Sequence, residues 1–343
     1  MSSLSSPGGE SLPEAGGGLT VSEPRAAPDR TGSAADLSVE TDDAAADPSA
    51  GAVPVSAGRA PLSPATAVLG AAVSILGALL LGFGADVTFV GAMHHNRDQH
   101  LAYDDFRAKL AHGEAPIGPA DQHDRPLAMG APVALLDIPE IGLHEVVLEG
   151  TTSRVLAMGA AHARSTVFPG QAGTSVIMGR RAAFGGPFRR IASLRPQQTF
   201  TVTTGQGVST YRVIDVRRAG DPVPAAVAVG AGRMQLVTAG GPAFQPGGVV
   251  RVDADLVTPV QGTPAVDIAI PPLSKAEQPL QGDPSVLMVL VLWAQALLLA
   301  AGLVAWARLR WGFWQTWIVG VPLLAALGLA TADRVAQLLP NLM

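Results

Sequence analysis

Three long apolar runs decide most of what this chain can become. Ala65 to Ala85 carries no charged residue, and the run continues past Asp86 to Met93. Val286 to Ala307 and Trp314 to Ala332 are the other two. A helix needs about 20 apolar residues to cross the hydrocarbon core of a bilayer. Each run is therefore expected to span a membrane, over residues 63–93, 285–307 and 314–333. The first starts far from Met1, behind a long polar tail, so it reads as a retained anchor rather than a cleaved signal. Asp86 would sit near the outer end of that span, where a charge costs less than at the centre. The short loop 308–313 holds Arg308 and Arg310, with Trp306, Trp311, Trp314 and Trp317 around it. Basic short loops mark the cytoplasmic side and tryptophans the headgroup level. This orientation puts the amino terminus inside, residues 94–284 outside, the 308–313 loop inside and residues 334–343 outside. The alternative makes the last two runs a buried helical hairpin.

Charge is unevenly spread. Residues 1–60 hold nine acids and three arginines, so the tail carries −6 of a whole-chain net charge of −5. Residues 1–62 are rich in Gly, Ser, Pro, Ala and Asp without apolar periodicity, and are expected to stay disordered. The rest is near neutral, which excludes the basic face that nucleic-acid binding wants. Lys109 and Lys275 are too few for a polybasic lipid site. The chain has no cysteine, which removes disulfides, thiolate nucleophiles and Cys-based metal sites together. No cofactor and no metal ion is expected. His94, His95 and His100 lie close in sequence, but no carboxylate pattern completes a metal site around them.

Between the first and second spans the period changes. Residues 94–130 are mixed and polar, with Tyr103, Phe106 and Leu110 at helical spacing. Residues 131–258 then read as short strands: 133–138, 144–149, 175–178, 200–204, 210–216, 234–238 and 249–256. Thr151 or Thr152 is placed to cap a short helix up to Met158. A second helix is expected over 187–194, with Pro187 in its first turn. Gly205-Gln206-Gly207 between two alternating runs signals a hairpin. About eight short strands and few helices predict a mainly β fold, a small closed barrel or sandwich. Residues 259–284 are Pro-rich and read as a linker.

One ordered series of motifs goes further. Leu136-Asp-Ile-Pro-Glu-Ile-Gly142, Val147-Leu-Glu-Gly150, Met158-Gly-Ala-Ala-His162, Thr166-Val-Phe-Pro-Gly-Gln-Ala-Gly173, Thr174-Ser-Val-Ile-Met-Gly-Arg-Arg181 and Leu236-Val-Thr-Ala239 follow one another. Together they resemble the sortases, the membrane-anchored cysteine transpeptidases of Gram-positive cell walls. The resemblance covers roughly Ala131 to Val257 and implies the eight-stranded sortase barrel. It also implies where the chemistry would sit. The family's His position is Arg180 here, its Cys position is Ala239, and its Arg position falls near Val249, with Arg251 on the same strand face. His162 matches a family position outside the catalytic set, and Arg181 keeps the family's Arg after the His.

That chemistry needs a thiolate to form an acyl-enzyme, a histidine to move protons and an arginine to hold the oxyanion. Alanine has no nucleophilic atom, and a guanidinium stays protonated at neutral pH. Loss of a covalent nucleophile costs on the order of a million-fold in rate. Thr238 adjoins the site, but neighbouring strand residues face opposite ways, so its hydroxyl should point away from the groove. Arg180 and Arg181 could bind a carboxylate or phosphate, or pair with Asp215 or Asp253 as strand-end residues. Arg251 could reach the groove or sit in a surface salt bridge. The expected function is a catalytically inactive, multi-pass membrane sortase homologue that binds or positions a protein partner at the outer cell surface. The alternative is a working transpeptidase or hydrolase with a replaced nucleophile. A third reading is a membrane-assembly subunit, prompted by the two carboxyl-terminal spans and by Gly70, Gly77, Gly82 and Gly84.

Overall fold

Residues 77–265, 272–311 and 313–343 are described by the computed structural model. The acidic tail and the beginning of the first span, Gly70 included, lie outside the described residues, as does part of the Pro-rich linker. The strands are β1 (Pro132–Ile138), β2 (Leu143–Glu149), β3 (Ala161–His162), β4 (Gly173–Met178), β5 (Thr199–Thr204), β6 (Gly207–Arg217), β7 (Gly232–Ala239) and β8 (Val249–Leu256). They close into a barrel in the order β1-β2-β3-β4-β7-β8-β6-β5, with β5 returning to β1. Two neighbour pairs are parallel, β2 with β3 and β4 with β7. The β4–β7 pair sets Met178 beside Val237, and antiparallel β8 sets Val249 beside Ala239.

Period-two alternation sorts the side chains. Ile177, Met234, Leu236, Val252 and Ala254 fill the barrel interior with Phe200 and Tyr211. The buried Tyr211 ring stacks on Phe200 with centroids 5.6 Å apart. Its hydroxyl accepts a hydrogen bond from the Gly170 amide at 2.6 Å. Burial pushes the phenol up to about 12, and that hydrogen bond only partly opposes it. Gly170 turns the chain there with φ +95°, a conformation that suits glycine. Met178, Val237 and Ala239 point the other way, into a second apolar cluster outside the barrel wall.

Helix α1 runs from Gly77 to His112, interrupted by one π-helical turn at Asp86–Val90. Its distal end packs Phe106 into the outer cluster, and Gly113 ends it in the left-handed conformation, φ +70°. Helix α2, Ser153–Met158, is capped by the Thr152 hydroxyl, which accepts from the Val155 amide. Helices α3 (Leu287–Trp311) and α4 (Phe313–Leu338) pack against each other. All three long helices are apolar and long enough to cross a membrane. Gly320 lets α3 and α4 approach closely, since a Cβ there would lie 2.8 Å from Val304. Gly77, Gly82 and Gly84 on α1 have open space around them.

The segment 187–194 differs from the expected helix. Its amides at Arg189, Ile191, Ser193 and Leu194 each bond three residues back, giving tight turns and one 3-10 turn at Ile191–Ser193. Phe188 explains this. Its amide is drawn to the Arg180 carbonyl at 3.0 Å, and its buried ring lies so close under Gly179 that any Cβ there would clash at 2.5 Å. A chain pinned at Phe188 has no room to widen to the α-helical turn.

Candidate functional site

The ends of β4 and β7 bring Arg180, Arg181, Thr238 and Ala239 together. The Thr238 hydroxyl donates to the Gly179 carbonyl at 2.8 Å, and the Arg181 guanidinium donates to the Ala239 carbonyl at 3.1 Å. Ala239 shares strand parity with Val237, on the outer face; Thr238 shares it with Leu236, which is inside. The Thr238 hydroxyl is thus buried, committed to a backbone acceptor, and has no histidine among its hydrogen-bond partners. Where the resemblance puts a sulfur, the chain has a methyl group inside an apolar cluster with Met178, Val155, Leu156 and Leu342.

Arg180 is only 1% exposed. One terminal nitrogen donates to the Ser153 carbonyl at 2.9 Å, and the guanidinium lies over the Phe184 ring, 4.9 Å from its centroid. Its Nε and Nη1 meet no acceptor among the described residues, and the neighbouring Ser153 hydroxyl is unpaired too. Burial without a carboxylate pulls this arginine down to about 10. Neither acid weighed as a strand-end partner pairs with the two arginines. Asp253 is held by Arg217 at 2.6 Å and Gln235 at 2.9 Å, and Asp215 bonds the next amide, Val216. Hydrogen bonding to Asp253 raises Arg217 above the ordinary arginine value, against the opposing effect of its burial. Arg251 stands opposite Val237 and is part-buried on the same face as Val249 and Ala239. No ion pair involves it among the described residues.

His162 lies elsewhere, on β3, fully buried. Parallel pairing of β2 with β3 puts Glu149 directly beside it, and Glu149 Oε2 is 2.9 Å from Nδ1. Thr166 Oγ1 is 3.1 Å from Nε2. Carboxylate, imidazole and hydroxyl in line look like a catalytic triad. The remaining bonds argue against that role. Nε2 also faces the Val167 carbonyl at 3.0 Å, which can only accept, so Nε2 carries its proton and cannot take another. The Thr166 hydroxyl donates to the Ala163 carbonyl and accepts from the Val176 amide. The geometry makes this a closed structural network that ties β2, β3 and β4 together.

A further buried pair joins α1 to β2. His95 Nε2 is 3.0 Å from Glu145 Oε1, between two clefts of about 330 and 390 Å³ that both include His144. Sequence reading weighed His95 with His94 and His100 and missed this partner, because Glu145 is remote in sequence. Among the described residues no three His, Asp or Glu side chains form a cluster fit for a metal ion.

Residues 136–249 match the family model for the sortase domain. No curated protein matches the chain. Among solved structures, a Clostridium perfringens sortase D5 transpeptidase is similar at 22% identity and TM-score 0.40, covering 47% of this chain and 99% of that one. Sortase E1 from Streptomyces coelicolor, with a tripeptide in its active site, is similar at 23% identity and TM-score 0.32, covering 37% and 88%. A sortase E variant from Streptomyces avermitilis is similar at 28% identity and TM-score 0.33, covering 38% and 91%. The motifs, the closed eight-stranded barrel and the family match agree over residues 136–249: this stretch matches the sortase domain, in a chain without a cysteine.

Proposed function

We propose that this protein is a catalytically inactive sortase homologue, anchored in the cell membrane, whose barrel binds or positions a protein partner at the outer face. One observation carries the reading: Ala239, which the resemblance aligns with the nucleophile, is packed among apolar side chains. The replaced-nucleophile alternative needs a hydroxyl beside a free base. Two candidates, Thr238 and Thr166, spend their protons on backbone carbonyls, and the Ser153 hydroxyl has no base as a partner among the described residues. The topology proposed with this function keeps the barrel and residues 334–343 outside and the 308–313 loop inside. It is supported by the hydrogen bonds that Asn341 and Leu342 make with barrel residues, which require the two to share one side of the membrane.

Photo-crosslinking in native membranes tests the partner reading. A crosslinker replacing exposed Phe244, in the loop after β7, should capture a protein. One replacing exposed Leu298 on α3 should capture less. The reverse ratio would favour the membrane-assembly reading, and no adduct at either position would defeat the partner reading.

A further inference from the structure

The outer face of β4 and β7 is not open. After α4 ends at Leu338, Pro340 to Met343 fold into a tight turn closed by the Met343 amide on the Pro340 carbonyl at 3.0 Å. Asn341 and Leu342 stand at its tip, and both are completely buried. The Asn341 side-chain amide donates to three carbonyls, Thr151 at 3.2 Å, Ala276 at 3.3 Å and Gln278 at 2.9 Å. Its backbone amide donates to Gln281 at 2.9 Å. The Leu342 side chain joins the cluster of Ala239, Val237, Met178, Val155 and Leu156. The Leu342 carbonyl accepts from the Arg181 amide at 3.0 Å, and the Met343 carbonyl accepts from the Ala183 amide at 3.4 Å.

These contacts are those of a bound peptide. Main-chain donors hold the backbone, three carbonyls read the Asn341 carboxamide, and an apolar hollow reads Leu342. The hollow is the place where this barrel has a methyl in its penultimate strand. Close by in sequence, Arg180 beside Arg181 and Ser153 beside Thr152 carry buried polar atoms with no partner among the described residues, as does the Asn341 side-chain oxygen of the turn itself.

We infer that this cleft is a peptide-binding site for a turn carrying Asn followed by a branched apolar residue, and that the chain's own segment Pro340–Met343 is its resident, displaceable ligand. The inference rests on the partner-binding reading above and names what the same site recognises. A tethered ligand acts at an effective concentration in the millimolar range. A free peptide therefore competes poorly until the tether's own side chain is spoiled.

The test uses the full chain in lipid nanodiscs and a fluorescein-labelled, amidated Leu-Pro-Asn-Leu-Met peptide, read by fluorescence anisotropy. The Leu342→Asp chain should bind this peptide at least about tenfold more tightly than the unmodified chain. A peptide with Ala in place of Asn should lose about tenfold. Equal affinity of the two chains, or binding by neither, would overturn the inference. Because Leu342→Asp could unfold, the Met343→Cys chain gives a second reading on an otherwise cysteine-free protein. Its thiol should react slowly, and excess unlabelled peptide should speed it about tenfold; an unchanged rate is the contrary result. A sorting-signal peptide that opens the cleft while the tail peptide does not would also overturn it. Peptide binding without any crosslinked protein would leave the cleft assignment standing and remove only the partner reading.

Discussion

His162 and Arg180 flank the same strand, β4, and both are buried, yet they are treated in opposite ways. Each ring nitrogen of His162 has a partner, one of them the carboxylate of Glu149. Arg180 has one carbonyl and the face of a phenyl ring. A buried polar group with every valence satisfied holds a fold together, whereas one left short costs stability and persists where something other than stability keeps it. The contrast separates a satisfied structural position that resembles a catalytic one from the position that the resemblance aligns with the family's histidine.

Mutation sharpens that contrast. Glu149→Ala leaves the buried imidazole without its carboxylate and should destabilise the protein by about 3–5 kcal/mol in denaturant unfolding of the detergent-solubilised chain. A cost below about 1 kcal/mol would mean that the pair is not the lock described. Leu342→Ala removes a fully buried side chain from the outer cluster and should cost about 2 kcal/mol, at the low end for such truncations because the tail can collapse onto the hole. Arg180→Met should go the other way, gaining about 1 kcal/mol by relieving a cation buried without an acid. The same substitution carries a pH signature. Burial lowers Arg180 in the folded state to about 10, so the unfolded chain holds that proton more tightly. Stability should rise as pH climbs from about 10 toward the ordinary arginine value. The Met variant should lack this rise; an identical alkaline profile would contradict the assignment.

Most of the barrel was legible because alternation and turn residues are local signals. The hairpin at Gly205–Gly207, the Thr152 cap and the strands around it needed only a few neighbouring residues to read. The Asn341–Leu342 contacts were not legible, because five residues after a helix carry no periodicity and their partners lie at positions 151, 181, 276, 278 and 281. The linker hid a signal that could have been found. Ser274-Lys275-Ala276-Glu277 has the spacing of a capping box, and both of its reciprocal bonds form. Glu277 then holds Arg164 through two bonds at 2.8 and 2.7 Å and seats the linker against the barrel. At the site, the resemblance singled out positions 180 and 239 by residue identity alone. That Arg180 has no acid partner depends on packing from Ser153 and Phe184, which no local pattern encodes.

A smaller effect follows from Glu277. Burial works to raise its carboxyl, and the hydrogen bonds from Arg164 and Ser274 outweigh it, so the net shift is downward. A depressed carboxylate adds stability above its unfolded value, and that stability is lost as pH falls through the folded one. Amide exchange over 274–281 should therefore quicken at acid pH, and Glu277→Gln should remove that dependence. The smallest expected change is at the exposed pair Lys109–Asp105, four residues apart on α1 at 2.7 Å. Lys109→Ala should cost about 0.3 kcal/mol, a baseline for what an ordinary surface contact contributes here.

The claim beneath all of this is that the barrel no longer performs acyl transfer. The direct measurement incubates the full-length chain in nanodiscs with sorting-signal peptides and amine acceptors, and follows cleavage and transfer by mass spectrometry. The account predicts no product above that from empty nanodiscs. Turnover that disappears on Thr238→Val or Thr166→Val would contradict it, by showing that a hydroxyl in this domain has taken over the work of the missing thiolate.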